Sequence, residues 1–363
     1  MPPSSSVPEV PDRARVNPIV PADERAAPSP ARRWLRIALG WIVAALFVGL
    51  AFRRVSVSEV LAVLRSARVV PILLALVALA GGFTVRIVRW WRMLRVLEPA
   101  LPLRACVRPF LVSIAVNNTL PLRVGDVVRA VGFRSALRAS PMAVIGTLLV
   151  ERLLDVVVLL ALLFAGLVAL GRSVVPRPFL LAGVAVGVVA VSGLLVLVLA
   201  PAWLRRIAHG IVGRIPSVAW RERLGALADQ LFDSLAIVRP ARRAAGLVSI
   251  TALAWALEGS AYACVAWSLH ADGSAFAPWF SLATGTLATM IPSSPGYVGT
   301  FDFFAVRGLT AFGTDHVVAL GVALLVHLLL WLPVTVVGAL YLVAPGQRRA
   351  NETPAEGAVS EAA

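Results

Sequence analysis

The sequence predicts an all-α polytopic membrane protein with about six spanning helices and two re-entrant helical hairpins arranged as an inverted repeat. The 363-residue chain is 59% hydrophobic and only 15% charged, whereas soluble domains are nearer half apolar and a quarter charged. Several uncharged runs are long enough to cross a bilayer. Two further apolar segments are each interrupted by proline, glycine and an acid.

The basic charge of the chain comes entirely from arginine. The formal net charge is +15, and all 34 basic residues are arginine. The lack of lysine excludes a Schiff-base lysine and a P-loop lysine. The arginines flank apolar segments and form no soluble basic domain, so membrane lipid is the expected partner and nucleic acid is not.

The sequence predicts no metal site, cofactor or catalytic motif, and so no enzyme. Cys106 and Cys264 lie in or next to apolar runs and indicate no disulfide framework. The four histidines show neither HExxH spacing nor a Cys/His cluster.

The chain begins with a polar tail and two spanning helices. Residues 1–31, rich in Pro, Ser, Ala and charge, predict a disordered tail. The run 35–52 predicts a retained signal-anchor helix, because no small-x-small cleavage site follows it. An amphipathic connection over 53–68 leads to a second span, 69–91, which ends in the interfacial cluster RWWRMLR.

Four more apolar runs each predict a spanning helix: 142–170, 179–200, 244–268 and 317–343. Residues 203–243 carry charges at helical spacing and predict a cytoplasmic, surface-lying amphipathic hairpin, with a plain linker as the alternative. The membrane domain is therefore expected over 32–345, followed by a disordered tail, 346–363.

Arginine placement orients the chain. The clusters ARR, RWWRMLR, RPARR and QRR can all face the cytoplasm if each full run spans once, which puts both termini inside. The interrupted segment 105–134 has basic flanks and should re-enter from the cytoplasm, whereas 277–312 has poorly charged flanks and should re-enter from outside. One conflict is a group of arginines in a loop that this topology places outside: Arg53, Arg54, Arg65 and Arg68.

The two interruptions share a pattern of proline, a glycine four residues later and a following acid: Pro121, Gly125 and Asp126, then Pro295, Gly299 and Asp302. Proline and glycine break helices, and Asn117 and Asn118 can satisfy the freed backbone groups. Two such breaks entering from opposite faces are typical of transporters that bind substrate between discontinuous helices. The alternative is a kink between two ordinary short helices, with arginines that mark a cytoplasmic loop.

A second signal is the group Glu151, Arg152 and Asp155 inside the run 142–170. Unpaired charges at the centre of a membrane helix cost roughly 2.5–3.5 kcal/mol each. We therefore expect all three side chains to face the bundle interior. They can pair with one another, as Arg152 can with Asp155 three residues later, or the acids can pair with Arg123 or Arg129. The alternative is an ion cluster that only fixes helix packing.

Other polar residues in apolar runs are more ambiguous. Glu258 is either an intramembrane acid or lies near the interface. Arg86 and Arg89 are expected to snorkel to the headgroups rather than bind substrate. His327 is expected to be a satisfied packing residue, with proton or headgroup contact as the alternative. Tyr297 either closes a cavity or marks the interface.

Three stretches resemble a known family: NxLPLRVGDVVR (117–129), VERLLD (150–155) and PGYVGTFD (295–302). They are similar to the hallmark stretches of the flippase-like transmembrane domain of lysylphosphatidylglycerol synthases, which many stand-alone bacterial and archaeal proteins share. The resemblance covers roughly 35–345. It implies a translocase-like domain in the cytoplasmic membrane, with re-entrant helices that meet inside the bilayer. The soluble aminoacyl-transferase domain of the bifunctional relatives is not expected here, and neither is lysine transfer to lipid.

The resemblance assigns site residues in three groups: Asn118, Pro121, Arg123, Gly125, Asp126 and Arg129; Glu151, Arg152 and Asp155; Pro295, Gly296, Gly299 and Asp302. Glu258 and Tyr297 are added from the residue pattern. Two departures concern the substrate. Asp126 and Asp302 stand where the family often has glutamate, and Tyr297 replaces a commonly small residue.

The expected function is movement of an amphiphile between leaflets: an anionic phospholipid, an aminoacylated lipid or a polyprenyl-phosphate sugar. Arg123 and Arg129 are expected as phosphate contacts, since guanidinium binds phosphate through two parallel hydrogen bonds. Glu151, Asp155 and Asp302 would balance them or contact a cationic headgroup. The alternatives are a membrane-embedded glycosyltransferase using Asp126 or Glu151 as base, and a scaffold for envelope synthesis. A homo-oligomer is left open.

Overall fold

The computed structural model describes residues 30–343 apart from 54, 121–122, 172–180, 182–184, 186, 190–191, 194–195, 197–199, 236, 238–239 and 292–293. Every regular element in the described residues is helical, which confirms the all-α prediction. The predictions for the two tails, Arg54, Pro121 and most of the span 179–200 lie outside the described residues.

The first part of the chain forms seven α-helices: α1 (Pro30–Ala51), α2 (Val57–Arg65), α3 (Val69–Leu94), α4 (Arg104–Thr119), α5 (Val124–Val127), α6 (Arg134–Leu137) and α7 (Pro141–Leu170). A π-helical turn, Val128–Gly132, separates α5 from α6.

With bounds that lie in the described residues, the later part has six more: α8 (Pro201–Val212), α9 (Val218–Leu235), α10 (Ala241–Ser268), α11 (Ala277–Ala288), α12 (Thr300–Thr310) and α13 (His316–Val343). A 3₁₀ turn, Pro295–Tyr297, lies between α11 and α12.

Four of these helices, α3, α7, α10 and α13, are long and apolar enough to cross a membrane. They confirm the predicted spans 69–91, 142–170, 244–268 and 317–343, and the protein is a multi-pass membrane protein. In α1, the described apolar part runs over Trp41–Ala51. The predicted total of six spans stays a prediction.

Helices α3 and α10 pack antiparallel along the middle of the bundle. The backbone N–H of Arg68, just before α3, donates to the Ser268 carbonyl at the end of α10 over 2.9 Å. A Cβ on Gly82 would lie 3.5 Å from the Ala254 carbonyl, so the small residue lets the two backbones approach closely. We call the end where α3 begins end A and the end where α3 finishes end B.

Each end of the bundle has its own apolar core. At end A, Ala51 and Val60 pack with the end of α10, the start of α11, the end of α12 and the start of α13, including Leu269, Ala277, Leu309 and Ala319. At end B, the core is built around the C-terminal turn of α3 and the segment before α7: Met93, Leu94, Leu101, Cys106, Leu137 and Val144.

The two interrupted segments begin and end at opposite ends of the bundle. Leu101 and Leu137, which flank the first, both lie in the core at end B. The second begins and ends at end A, where the Ser274 N–H donates to the Phe312 carbonyl over 3.2 Å. The 16-residue α4 and the 12-residue α11 are about 24 and 18 Å long, shorter than a hydrocarbon core of about 30 Å.

Two connecting segments are also helical. The connection 53–68 contains α2, whose first turn is capped by Ser56 and Glu59. Hydrogen bonds from the Ser56 backbone N–H and hydroxyl hold the pKa of Glu59 below its usual value. The segment 203–243 contains α8 and α9, joined by ion pairs of Arg205 with Asp233 and of His209 with Asp229. Its cytoplasmic, surface-lying placement stays a prediction.

Candidate functional site

Both breaks end against one face of α13. His327, Trp331 and Thr335 are spaced four residues apart and so lie on one side of the helix. His327 Nε2 lies 2.9 Å from the Gly296 carbonyl oxygen in the second break. Trp331 Nε1 donates to the Asn118 carbonyl in the first break over 3.2 Å. We call this meeting point of the two breaks the junction.

Side chains close the junction further. The Asn118 side-chain amide donates to Thr335 Oγ1 over 2.8 Å, and Thr335 in turn donates to the Trp331 carbonyl. His327 Nδ1 lies 2.8 Å from Asp302 Oδ1. The carbonyl oxygen of Gly296 can only accept, so Nε2 of the ring carries the proton in that hydrogen bond.

The junction lies near the middle of α13. At 1.5 Å per residue, Trp331 is about 22 Å from the start of the helix at His316 and about 18 Å from its end at Val343. The breaks therefore place non-helical backbone and polar groups halfway along a helix that is long enough to span a membrane.

Two of the predicted glycines are required by close backbone approaches. A Cβ on Gly125 would lie 1.9 Å from the Ser113 carbonyl oxygen of α4. At Gly299, which has φ +87°, it would lie 2.5 Å from the Ala44 carbonyl oxygen of α1. No side chain fits at either position without a backbone shift, and a left-handed φ adds strain at Gly299.

Non-glycine residues also adopt left-handed backbone in both breaks. Arg123 has φ 54° immediately before α5, and Tyr297 has φ 60° next to Gly296 at φ 71°. Left-handed conformations cost an L-residue roughly 1–2 kcal/mol. Such strained residues persist only where the surroundings fix them, and they cluster at binding and switch sites.

A ladder of four arginine–carboxylate pairs runs beside the junction, and each pair joins two different segments. Arg86 Nη2 lies 2.6 Å from Glu258 Oε2, and Arg89 Nη1 lies 2.6 Å from Asp155 Oδ1. The other two pairs are longer: Arg129 with Glu151 at 3.4 Å, and Arg152 with Asp126 at 3.3 Å. With four arginines and four carboxylates, the ladder has no formal net charge.

The inner part of the ladder is buried and cross-linked. Arg89 has 0% exposure; it also pairs with Glu151 at 3.2 Å and donates to Thr251 over 2.8 Å. The guanidinium of Arg129 is stacked 3.6 Å from the ring centre of Trp90 and 4.6 Å from that of Phe110. A cation held between aromatic faces and a carboxylate is fixed in position.

The expectations for Arg86, Arg89 and Arg152 are wrong. Arg86 and Arg89 do not snorkel, because each pairs with an acid inside the bundle. Arg152 pairs with Asp126 rather than with Asp155, which Arg89 occupies. Glu258 is buried against Arg86, and the Trp255 ring bridges it to the rest of the ladder, since Trp255 contacts Arg86 and donates to Asp155.

The predicted site residues thus form two neighbouring groups. The junction holds Asn118, Gly296 and Asp302, with Pro295, Tyr297 and Gly299 in the same break. The ladder holds Asp126, Arg129, Glu151, Arg152, Asp155 and Glu258. Asn117 links the groups, because its amide donates to Asp126 over 3.0 Å while the adjacent Asn118 reaches α13. Pro121 lies outside the described residues.

Arg123 differs from the arginines of the ladder. It lies half-buried in the first break and forms no hydrogen bond or ion pair within the part of the chain that the structure describes. The first break therefore contributes one cation that no carboxylate of the described residues neutralises.

Sequence reasoning missed Trp331, Thr335, Thr251 and the structural role of Arg89. The sequence signal was the four-residue spacing of His327, Trp331 and Thr335, whose side chains can form hydrogen bonds. Among the described residues, no group of three His, Cys, Asp or Glu side chains is placed to hold a metal ion.

Residues 34–338 match the family described as Lysylphosphatidylglycerol synthase TM region. The chain belongs to this family. The match confirms the resemblance, and all three hallmark stretches lie inside it. The two breaks and the ladder are therefore features of a lysylphosphatidylglycerol synthase TM-region protein.

Two relatives are archaeal. The chain is 27% identical to Glycosyltransferase AglD of Haloferax volcanii over 327 residues, which cover 81% of this chain and 52% of the relative. It is 22% identical to UPF0104 membrane protein MJ1078 of Methanocaldococcus jannaschii over 225 residues, which cover 62% of this chain and 92% of that protein. This TM-region chain spans about half the length of AglD.

Proposed function

We propose that this protein moves an amphiphile with a phosphate-bearing headgroup between the leaflets of a prokaryotic cytoplasmic membrane. The junction halfway along α13 carries the proposal, because it brings two helix breaks and their polar groups together at membrane depth. A headgroup is costly to move through hydrocarbon, and a polar path between the breaks lowers that cost.

The proposed topology has six spans and two re-entrant hairpins, α4–α6 and α11–α12, with both termini in the cytoplasm. The flanks of the hairpins lie at opposite ends of the bundle, and their inward helices are too short to span. Irregular backbone at membrane depth requires cover by protein or water, which α13 supplies. Two oppositely inserted hairpins with a site between them form an inverted repeat.

The charge balance supports an anionic headgroup and assigns its contact. The ladder arginines each have a carboxylate partner, whereas Arg123 has none in the described chain. We therefore assign the phosphate contact to Arg123. Arg129 was expected to share this role, but its guanidinium is held by Trp90, Phe110 and Glu151.

The test is leaflet transfer by the full-length protein in vesicles, with Arg123→Gln beside Arg138→Gln. Both arginines adopt left-handed backbone, at φ 54° and 50°, so glutamine keeps the same strain at either position. We expect Arg123→Gln to slow transfer about tenfold, the value of one charge-assisted hydrogen bond. Arg138→Gln, outside the junction, should match the wild type.

The assay uses fluorescent phosphatidylglycerol, its aminoacylated form and a polyprenyl phosphate as separate substrates, with phosphatidylcholine as the neutral-headgroup comparison. Faster transfer of one phosphate-bearing substrate would identify the cargo. Equal transfer by wild type and Arg123→Gln for all of them would reject the proposal and favour the scaffold.

A second candidate is transfer of a sugar on a lipid carrier, which the similarity to Glycosyltransferase AglD favours. In this chain, the two acids expected as base are each held by arginine: Asp126 by Arg152, and Glu151 by Arg89 and Arg129. Turnover of a lipid-linked sugar phosphate by the purified protein, abolished by Glu151→Gln, would support this candidate instead.

A further inference from the structure

A separate cavity of about 590 Å³ opens at end A. It lies between the end of α1, the middle of α12 and the start of α13. His316 in its wall is about 22 Å along α13 from Trp331, whereas Phe303 in its wall directly follows Asp302 of the junction. The family's three hallmark stretches contribute none of its wall residues.

Two arginines in the wall have no carboxylate partner among the described residues. Arg53 follows α1 and Arg307 lies on α12; neither guanidinium forms an ion pair or hydrogen bond in that part of the chain. The Arg307 guanidinium lies 5.2 Å from the ring centre of Phe303, which leaves its N–H groups available. Arg53 is also one of the arginines that conflict with the positive-inside pattern.

The acids nearby are already held by helix N-termini. Asp315 in the wall accepts hydrogen bonds from the backbone N–H groups of Val317 and Val318, over 2.9 and 3.2 Å, at the start of α13. Glu59 accepts from the Ser56 N–H at the start of α2 over 2.8 Å. Carboxylates are favoured at these positions, so both acids serve helix ends rather than the two arginines.

Besides the two arginines, Asp315 and His316, the other wall residues of the cavity are apolar. Leu50, Val55 and Phe303 contribute hydrocarbon surface next to the cations. His316 Nε2 lies 3.1 Å from the Ala51 carbonyl oxygen, so its N–H ties the end of α1 to the start of α13. A cationic rim above apolar walls, at the ends of spanning helices, matches a molecule with a charged head and an apolar body.

We propose that this cavity binds the phosphate group of an anionic amphiphile, with Arg53 and Arg307 as its contacts. The guanidinium fork suits phosphate oxygens. This second site does not depend on the proposed function, because it lies at the opposite end of the bundle from the flanks of the first break and uses different arginines.

The test measures retained lipid by native mass spectrometry of the full-length protein in mild detergent. Delipidated protein is incubated with phosphatidylglycerol or phosphatidylcholine. The variants are Arg53→Gln with Arg307→Gln, and a matched control, Arg65→Gln with Arg68→Gln, two exposed arginines at the same end outside the cavity. We expect wild type and control to retain phosphatidylglycerol, and the cavity variant to bind it about tenfold more weakly per lost arginine.

Competition with inorganic phosphate shows whether the cavity recognises a phosphate group alone or a whole lipid. If inorganic phosphate binds to the wild type and displaces phosphatidylglycerol, the site recognises the phosphate alone. If phosphatidylglycerol stays bound, its glycerol and acyl groups contribute and the ligand is a lipid. Equal retention of phosphatidylglycerol by wild type, control and cavity variant overturns the proposal.

The leaflet-transfer assay on the same variants distinguishes a failure of this binding site from a failure of the proposed transport function. Arg123→Gln is expected to keep the end-A cavity filled while it slows transfer. A cavity variant that loses lipid at end A therefore reports on this site even if the protein proves not to transport.

Discussion

Arg86 and Glu258 illustrate what a charge requires inside an apolar helix bundle. They lie on α3 and α10, 172 residues apart in sequence, and meet at 2.6 Å with side-chain exposures of 11% and 9%. Removing one partner of a buried pair leaves an uncompensated charge and lowers stability. Replacing both partners with apolar side chains that pack well leaves no such charge. The pair therefore stabilises the bundle mainly by avoiding an orphaned charge.

This predicts opposite effects for single and double substitutions. Arg86→Met should lower the free energy of unfolding by about 3–5 kcal/mol, because Glu258 loses its partner. The double variant Arg86→Met with Glu258→Leu should recover most of that loss. Stability is measured by reversible unfolding in mixed detergent micelles.

The more exposed pair of Arg152 and Asp126 serves as control, with side-chain exposures of 46% and 23%. Arg152→Met should cost less than Arg86→Met, because Asp126 keeps the Asn117 amide as a hydrogen-bond partner. A double variant at positions 86 and 258 that is less stable than either single variant would show that the charges themselves are needed.

Individual charges were easier to find in the sequence than their partners. Glu151, Asp155 and Glu258 are conspicuous in apolar runs, and Arg129 was one of the expected partners of Glu151. Arg89 was misjudged because it lies near the expected end of the second span, where snorkelling is common. Its carboxylate, Asp155, lies 66 residues away, and nothing local indicates that distance.

At the scale of elements, α13 acts as the support for both breaks. One of its faces bonds the backbone of each broken segment through His327 and Trp331. Without these contacts, the carbonyl oxygens of Gly296 and Asn118 would lack partners, and a buried unsatisfied carbonyl costs about 1–3 kcal/mol.

Trp331→Phe should therefore loosen the first break while it keeps the aromatic packing. The variant loses the Nε1 donor to Asn118, so amide hydrogen exchange around Leu120 should speed up roughly 5- to 150-fold, the equivalent of 1–3 kcal/mol. Exchange is followed by mass spectrometry of peptides that cover the end of α4.

Trp267→Phe provides the control, because Trp267 is 54% exposed and lies at the other end of α10 from the first break's flanks. It should leave exchange at Leu120 unchanged. Unchanged exchange in Trp331→Phe would mean that the end of α4 is held by other contacts.

The long helices follow directly from hydropathy, since each of the four spanning candidates has an apolar window of at least 18 residues. The supporting face of α13 cannot be recognised from hydropathy, because Trp331 and Thr335 barely lower the hydropathy of the helix. Their importance comes from what they touch, and that depends on where the breaks lie after folding.

At the scale of the whole molecule, the two hairpins should open to opposite sides of the membrane. Single cysteines placed at Ser135 and Ser274, which are exposed next to the first and second hairpins, should react from opposite faces of sealed vesicles. The background replaces Cys106 and Cys264 with alanine, and a membrane-impermeant maleimide is the reagent.

A cysteine at Ser66 provides the reference for end A, because the following residues begin α3 beside Ser268. It should label from the same side as the Ser274 position. Labelling of the Ser135 and Ser274 positions from one side would contradict the inverted arrangement.

The matching prolines, glycines and acids gave the sequence-level evidence for two equivalent breaks. The cores at ends A and B separate the flanks of the two segments in the way that arginine placement suggested. That the breaks meet on α13 rather than directly on each other required the fold, because this contact joins Asn118 to residues 213 and 217 positions later.

The ladder also has a consequence for how the chain is made. Ribosomes add about 5–20 residues per second, so α3 emerges on the order of ten seconds before Glu258, its partner 172 residues downstream. During that interval Arg86 has no acid to pair with inside the bundle, and Arg89 has none until Asp155 follows 66 residues downstream. Their long side chains then reach the headgroups, and α3 takes its final depth in the bilayer only after α7 and α10 have been inserted beside it.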